Sequence, residues 1–150
     1  MYNKLLPQVI LFSSITMAEV LYVPAEFLTI QDAIEASESG DSVLVSPGLY
    51  QENINFEGKP ITVSSLYLIG GDSLLIGTTI IDGQQNGSVV TFASGEDSGS
   101  ILQGFTLQNG SGNDEDPDDN GSYYTYGGGI YCENSDPTIR DCIIRDNVAN

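Results

Sequence analysis

The stretch from Thr29 to Ser64, TIQDAIEASESGDSVLVSPGLYQENINFEGKPITVSS, restricts the fold more than any other part of the chain. Ile30, Ala33 and Ile34 fall at helical spacing and predict a short amphipathic helix. Thr29 is placed to cap it, and Asp32 three residues on is a short-armed version of the capping-box partner. Gly40-Asp41 stops that helix, and a strand over Val43 to Val45 begins at once. Pro47-Gly48 then turns the chain into Tyr50 to Ile54, and Gly58-Lys59-Pro60 turns it into Ile61 to Val63.

Short strands continue to the end of the sequence. Thr79 to Asp82, Ser88 to Phe92, Ile101 to Gln108, Gly129 to Cys132 and Thr138 to Arg145 read as strands separated by Gly, Asn, Ser and Asp. QGFTLQNG, from Gln103 to Gly110, aligns with RDCIIRDN, from Arg140 to Asn147, as a weak internal repeat. A further strand precedes each copy, and an insertion from Ser111 to Tyr126 displaces the second. Units of about 20 to 25 residues cannot bury an apolar face alone and are expected to stack.

The wording TIQDAI, GDSVLVSPGLYQENI and GKPITVSS resembles the opening of pectin-lyase-like β-helix repeat proteins, which pectinesterases share in outline. GGGIYCENSDPTIRDCIIRDNVAN resembles the repeat unit of secreted bacterial β-helix proteins. The resemblance covers most of the chain after Glu19. It implies an all-β, right-handed parallel β-helix over residues 19–150, with a short capping helix at Thr29 to Ser37 covering the open N-terminal edge. The competing architecture is an antiparallel sandwich, with Asn86-Gly87 as a hairpin turn between TIID and SVVTF. A sandwich has no need of the leading helix, and most gaps are too irregular for hairpins. Ile143 and Ile144 would have nothing stacked above them, so further β-helix coils or another chain are expected at the C-terminal end.

Residues 1–18 read as a signal peptide. Lys4 precedes an apolar run from Leu5 to Met17, and Thr16-Met17-Ala18 predicts cleavage before Glu19. The run is short for a membrane span and is interrupted by Pro7, Gln8 and two serines. Secretion or cell-surface location is therefore expected, with no membrane insertion of the mature chain. The formal charge is -17, and every acid lies after Ala18. Such a polyanion is repelled by nucleic acid and by anionic membrane surfaces. The sequence contains no histidine, which excludes histidine bases, His-dependent triads and His-ligated zinc.

The chemically richest segment is Gly112 to Ser122. Asp116, Asp118, Asn120 and Gly121 occupy the first, third, fifth and sixth positions of a D-x-D-x-[DN]-G calcium loop, with the Ser122 carbonyl at the seventh. Gly127 stands at the twelfth position in place of a bidentate glutamate, although Asp114 or Asp119 could substitute. The same residues also suit a solvated acidic loop, and both readings stay open. Tyr123, Tyr124 and Tyr126 follow, either stacking on sugar rings or folding back over the flank of the fold. Cys132 and Cys142 are expected to face inward as buried free thiols. A bridge between them would need adjacent strands. Asn86, Asn109 and Asn120 each begin Asn-Gly-Ser, matching glycosylation acceptors and serving equally as turn residues.

The resemblance raises the question of catalysis, because polysaccharide chemistry on this fold uses surface carboxylates, calcium and arginine. Pectinesterase catalytic aspartates lie in later motifs such as DFIFG, which nothing here matches. The lyase-type arginine base has Arg140 and Arg145 as candidates, beside Asp141 and Asp146. An odd spacing along one strand points these arginines to opposite faces, and no catalytic residue is carried over. The sequence therefore predicts a scaffold or adhesive module facing polysaccharide, without its own catalytic apparatus. The alternative is the N-terminal part of a carbohydrate-active enzyme: a pectinesterase, polysaccharide lyase or epimerase.

Overall fold

A computed structural model of the chain describes residues 17–115 and 124–149. Nearly all of the proposed leader lies outside the described residues, as do Asp116, Asp118, Asn120, Ser122 and Tyr123. In chain order the elements are β1 (Val20–Val23), α1 (Ile30–Ala36), β2 (Ser42–Val45), β3 (Gly48–Gln51), β4 (Ile54–Asn55) and β5 (Thr62–Ser65). Two short helices follow, α2 (Tyr67–Gly70) and α3 (Leu74–Thr78), then β6 (Thr79–Asp82), β7 (Val90–Phe92), β8 (Ile101–Gln103) and β9 (Thr106–Gln108). The remaining strands are β10 (Asn113–Glu115), β11 (Tyr124–Tyr126), β12 (Ile130–Cys132), β13 (Thr138–Arg140) and β14 (Ile143–Arg145).

The fold is sheet-rich, with few helices and parallel strands. Three sheets run β1-β2-β5-β8-β13, β14-β9-β6-β3 and β12-β7-β4, and every pairing within them is parallel. The chain visits the sheets in rotation: β2, β3 and β4; then β5, β6 and β7; then β8, β9 and β12; then β13 and β14. Asn86-Gly87 therefore does not join an antiparallel hairpin, because β6 pairs with β3 and β9 while β7 pairs with β4 and β12. Parallel neighbours place like positions on one face, and the apolar rows form the core. Val43, Val63 and Leu102 make one fully buried row, and Ile81 with Leu107 makes another. Phe56 and Phe92 meet in the interior with ring centroids 4.4 Å apart. Truncating a side chain such as Leu102 to alanine in such a core costs about 2–5 kcal/mol.

Helix α1 packs against β1, β2 and β4 through Ile30, Ala33 and Ile34, all fully buried. Thr29 Oγ1 accepts the Asp32 N–H at 3.1 Å. The carboxylate that receives the first two helical N–H groups is Glu52, each bond 3.0 Å long. At the other end Lys59 Nζ donates to the carbonyls of Ile34 at 2.8 Å and Glu35 at 2.7 Å. Residues from the following layer thus satisfy both helix ends, which an isolated two-turn helix leaves open.

Two stretches expected as single strands are each two strands with a corner between them. Ile101 to Gln108 bends at Gly104 (φ +81°), where an added Cβ would stand 2.6 Å from Ser65 Oγ. Thr138 to Arg145 bends at Asp141, which takes the same left-handed conformation at φ 52°. Asp visits that region at modest cost. Arg140 and Arg145 accordingly belong to different sheets, so alternation along one strand does not apply to them.

The internal repeat proves to be strand register. Thr138 lies opposite Ile101 and Ile143 opposite Thr106. Hydrogen bonds from Arg140 to Gln103 and from Arg145 to Gln108 span the same 37 residues. Ile139 and Ile144 continue the rows of buried Leu102 and Leu107, yet in the outermost described layer they are exposed, Ile144 at 54%. The same position explains the cysteines. Cys132 occupies the inward row opposite Phe92 but is exposed rather than buried, because β12 is the end strand of its sheet and no described strand stacks beyond it. Cys142 is half-buried, and both thiols are free.

Two insertions interrupt the rotation. Between β5 and β6 stand α2 and α3, leaving Ile69 and Leu74 largely exposed. Between β9 and β12 stands the β10–β11 hairpin, the one antiparallel pairing among the described residues.

Candidate functional site

The β10–β11 hairpin stands apart from the three parallel sheets, and its register is Asn113 opposite Tyr126, Asp114 opposite Thr125 and Glu115 opposite Tyr124. Its base is fastened to the turn that precedes β7. Gly87 N–H donates to Ser111 Oγ at 2.9 Å, Ser111 N–H donates back to the Gly87 carbonyl at 2.9 Å, and Ser88 N–H donates to Asn113 Oδ1 at 3.1 Å. Between hairpin and turn lies an open polar groove of about 680 Å³, lined by Gln85, Asn86, Ser111, Asn113, Asp114 and Thr125 together with two glycines. Thr125 Oγ1 donates to Asp114 Oδ1 at 2.8 Å, which fixes that rim.

Strand alternation puts Tyr124 and Tyr126 on one face of the hairpin and Asp114 with Thr125 on the other. The two tyrosines are exposed, with ring centroids 6.4 Å apart and planes tilted by 42°. Of the residues singled out in the sequence for sugar stacking, Tyr124 and Tyr126 come together on the hairpin. Tyr123 and the four candidate calcium ligands cannot be placed with them, being outside the described residues. Among the described residues no group of three or more Cys, Asp or Glu is arranged to hold a metal ion.

The groove residues Gln85, Asn86, Ser111 and Thr125 were not legible as a site. Amides and hydroxyls are ordinary turn residues, and nothing in their spacing couples a turn near residue 86 to an insertion 25 residues later. The available signal was the pair of Asn-Gly turns, at Asn86 and Asn109, that flank the segment paired with the insertion.

A second polar constellation runs across the outer surface of one sheet. Gln51, Asp82, Gln108 and Arg145 share a row. Arg145 Nε and Nη2 donate to Gln108 Oε1 at 3.2 Å and 2.8 Å, and Gln108 Nε2 donates to Asp82 Oδ2 at 2.9 Å. Asn109, at φ 56°, donates its amide to the same Asp82 oxygen at 2.8 Å, and Gln84 N–H donates to the other at 3.0 Å. Burial alone would raise the Asp82 pKa, but these three donors outweigh it and hold the carboxyl below the ordinary carboxylate range. A parallel ladder links Arg140 Nε to Gln103 Oε1 at 3.0 Å and Gln103 Nε2 to Asp141 Oδ2 at 3.1 Å. Arg145 is thus a ladder-pairing residue.

Glu96 joins three segments. Its Oε1 accepts the Gly58 N–H at 2.8 Å, and its Oε2 accepts the Ser94 N–H at 2.9 Å and the Ser135 hydroxyl at 2.8 Å. Burial pushes its pKa up, yet the donors prevail and the carboxyl stays below its usual value. The thiols of Cys132 and Cys142 are both shifted upward, chiefly by burial, with Glu96 adding to the first and Asp141 to the second. A thiol shifted that way holds little nucleophilic thiolate at neutral pH.

The chain matches no protein-family model and no curated protein sequence.

Proposed function

We propose that the chain is a secreted or cell-surface right-handed parallel β-helix, similar to the pectin-lyase-like superfamily, serving as a rigid scaffold that presents the β10–β11 hairpin to polysaccharide. The observation that carries this reading is the hairpin itself. It leaves the parallel stack, is fixed at its base by three hydrogen bonds, and exposes two tyrosines on the face opposite the Asp114–Thr125 rim of a polar groove. Rotation of the chain through three parallel sheets favours a solenoid, and parallel crossovers are overwhelmingly right-handed. Helix α1 would act as its N-terminal plug, and the exposed Ile139 and Ile144 would receive a further coil or another chain. A scaffold without its own catalytic apparatus is favoured because the buried carboxylates Glu96 and Asp82 are committed to structural donors.

Export places the protein where glycans are encountered, and the D-x-D-x-N-G spacing makes Asp116, Asp118, Asn120 and the Ser122 carbonyl a calcium loop. The test is retardation of the purified chain in native gels containing soluble polysaccharides, run in parallel with calcium and with EDTA. Tyr124→Ala with Tyr126→Ala is expected to weaken retardation several-fold at unchanged melting temperature. If wild type and the double variant migrate alike in every gel, the glycan-facing reading fails. Equal melting curves in calcium and EDTA would remove the calcium loop.

A further inference from the structure

We propose that the groove beside the β10–β11 hairpin takes a neutral polysaccharide, an uncharged chain of hydroxyl-bearing sugars, and rejects polyuronates. The inference rests on the glycan-facing reading above and specifies its ligand, in the direction opposite to what a pectin-lyase-like opening would suggest.

The whole chain holds four basic residues against 21 acids. Lys4 lies in the proposed leader. Lys59 spends its ammonium on the C-terminal carbonyls of α1. Arg140 is engaged with Gln103 on another sheet. Arg145 reaches the ladder that leads to Asn109, but its guanidinium is bound to Gln108, and Asp146 stands 3.9 Å from its Nε. Among the described residues no base lines the groove to face a carboxylate.

The negative charge points the same way. Asp114 lines the groove. At the Gln84–Gln85 turn, Asp82 is ionised and its charge is met by neutral amides. A polyuronate carries one carboxylate per sugar and would meet this surface at separations shorter than the Debye length of about 8 Å, where salt screens little. Unpaired like charges across an interface cost several kcal/mol.

What the groove does offer is amide and hydroxyl chemistry. Gln85 and Asn86 are exposed and present both donors and acceptors, and Ser111 and Thr125 add hydroxyls. Asp114 accepts from hydroxyl groups as readily as it repels carboxylates. The walls are already positioned: Gln85 N–H is held by the Asn109 carbonyl at 2.7 Å and Asn86 N–H by the Gly83 carbonyl at 2.9 Å. A sugar would therefore meet a surface whose backbone needs little ordering.

The test measures Kd for soluble xyloglucan, galactomannan and polygalacturonate against the full mature chain, in EDTA and in calcium. The neutral polymers are expected to bind at least about tenfold more tightly than polygalacturonate in both buffers. Asn86→Lys with Thr125→Lys, which puts two cations in the groove, should raise polygalacturonate affinity about tenfold. Leu28→Lys with Leu74→Lys makes the same change of net charge on exposed residues elsewhere and should not. Tighter binding of polygalacturonate than of the neutral polymers, with or without calcium, overturns the inference while leaving the glycan-facing reading standing. An equal gain from the Leu28 and Leu74 pair overturns the groove as the site. Failure of all three polymers to bind removes the glycan-facing reading as well.

Discussion

Glu96 is 2% exposed, yet it stays ionised by collecting donors from the turns at Gly58, Ser94 and Ser135. It ties three successive layers at one corner. Nothing in the local sequence GEDSG marks it, because two of its partners are 38 and 39 residues away. Glu96→Ala would strand the Gly58 and Ser94 N–H groups, costing on the order of 3 kcal/mol. Glu96 and Asp82 both have folded pKa values below their unfolded ones, so their stabilisation is complete above about pH 4. It is lost as pH falls through the lower folded values. Thermal melts of wild type should therefore decline steeply below about pH 4, and melts of Glu96→Gln should start lower at neutral pH and decline less in that window. Parallel pH profiles for the two proteins would show that Glu96 does not hold the corner through its charge.

At the level of elements, the strands were readable wherever β-branched residues alternate between Gly and Asn turns, as in Thr79 to Asp82, which matches β6 residue for residue. The corners at Gly104 and Asp141 were not, because a single left-handed residue inside an apolar run leaves no change of composition. Helices α2 and α3 escaped for a related reason: LYLIGGDSLLIG is too short for helical periodicity to declare itself. Strand β1 was hidden beside the proposed cleavage site. The triple glycine Gly127 to Gly129 is intelligible only from the packing. A Cβ on Gly110 would collide with the Gly128 carbonyl, and one on Gly128 with the Val148 carbonyl, so backbone passes directly over backbone where the hairpin rejoins the stack. Gly110→Ala should destabilise the chain by about 2 kcal/mol or more, read as a lower melting temperature, and Gly77→Ala should cost less because no atom lies within 4 Å of its added Cβ and its φ is not left-handed. Equal losses from the two would mean that close approach does not govern Gly110.

Across the whole molecule, the 37-residue shift between QGFTLQNG and RDCIIRDN was informative because it is the offset by which β13 pairs with β8 and β14 with β9. The hairpin insertion sets that length, and the residues between the repeats carried no hint that they would fold back against the turn at Gly87. The stack is the claim on which scaffold, groove and ligand all depend, and its row order is open to direct measurement. Gln51, Asp82, Gln108 and Arg145 should lie side by side in that sequence across one sheet. With Cys132 and Cys142 replaced by serine, Gln108→Cys with Arg145→Cys places two thiols on adjacent parallel strands, about 4.8 Å apart at Cα and within disulfide reach. Mild oxidation should bridge them almost completely within one chain, while Gln51→Cys with Arg145→Cys, three strands apart, should stay reduced. A bridge in the second pair, or none in the first, would contradict the stack.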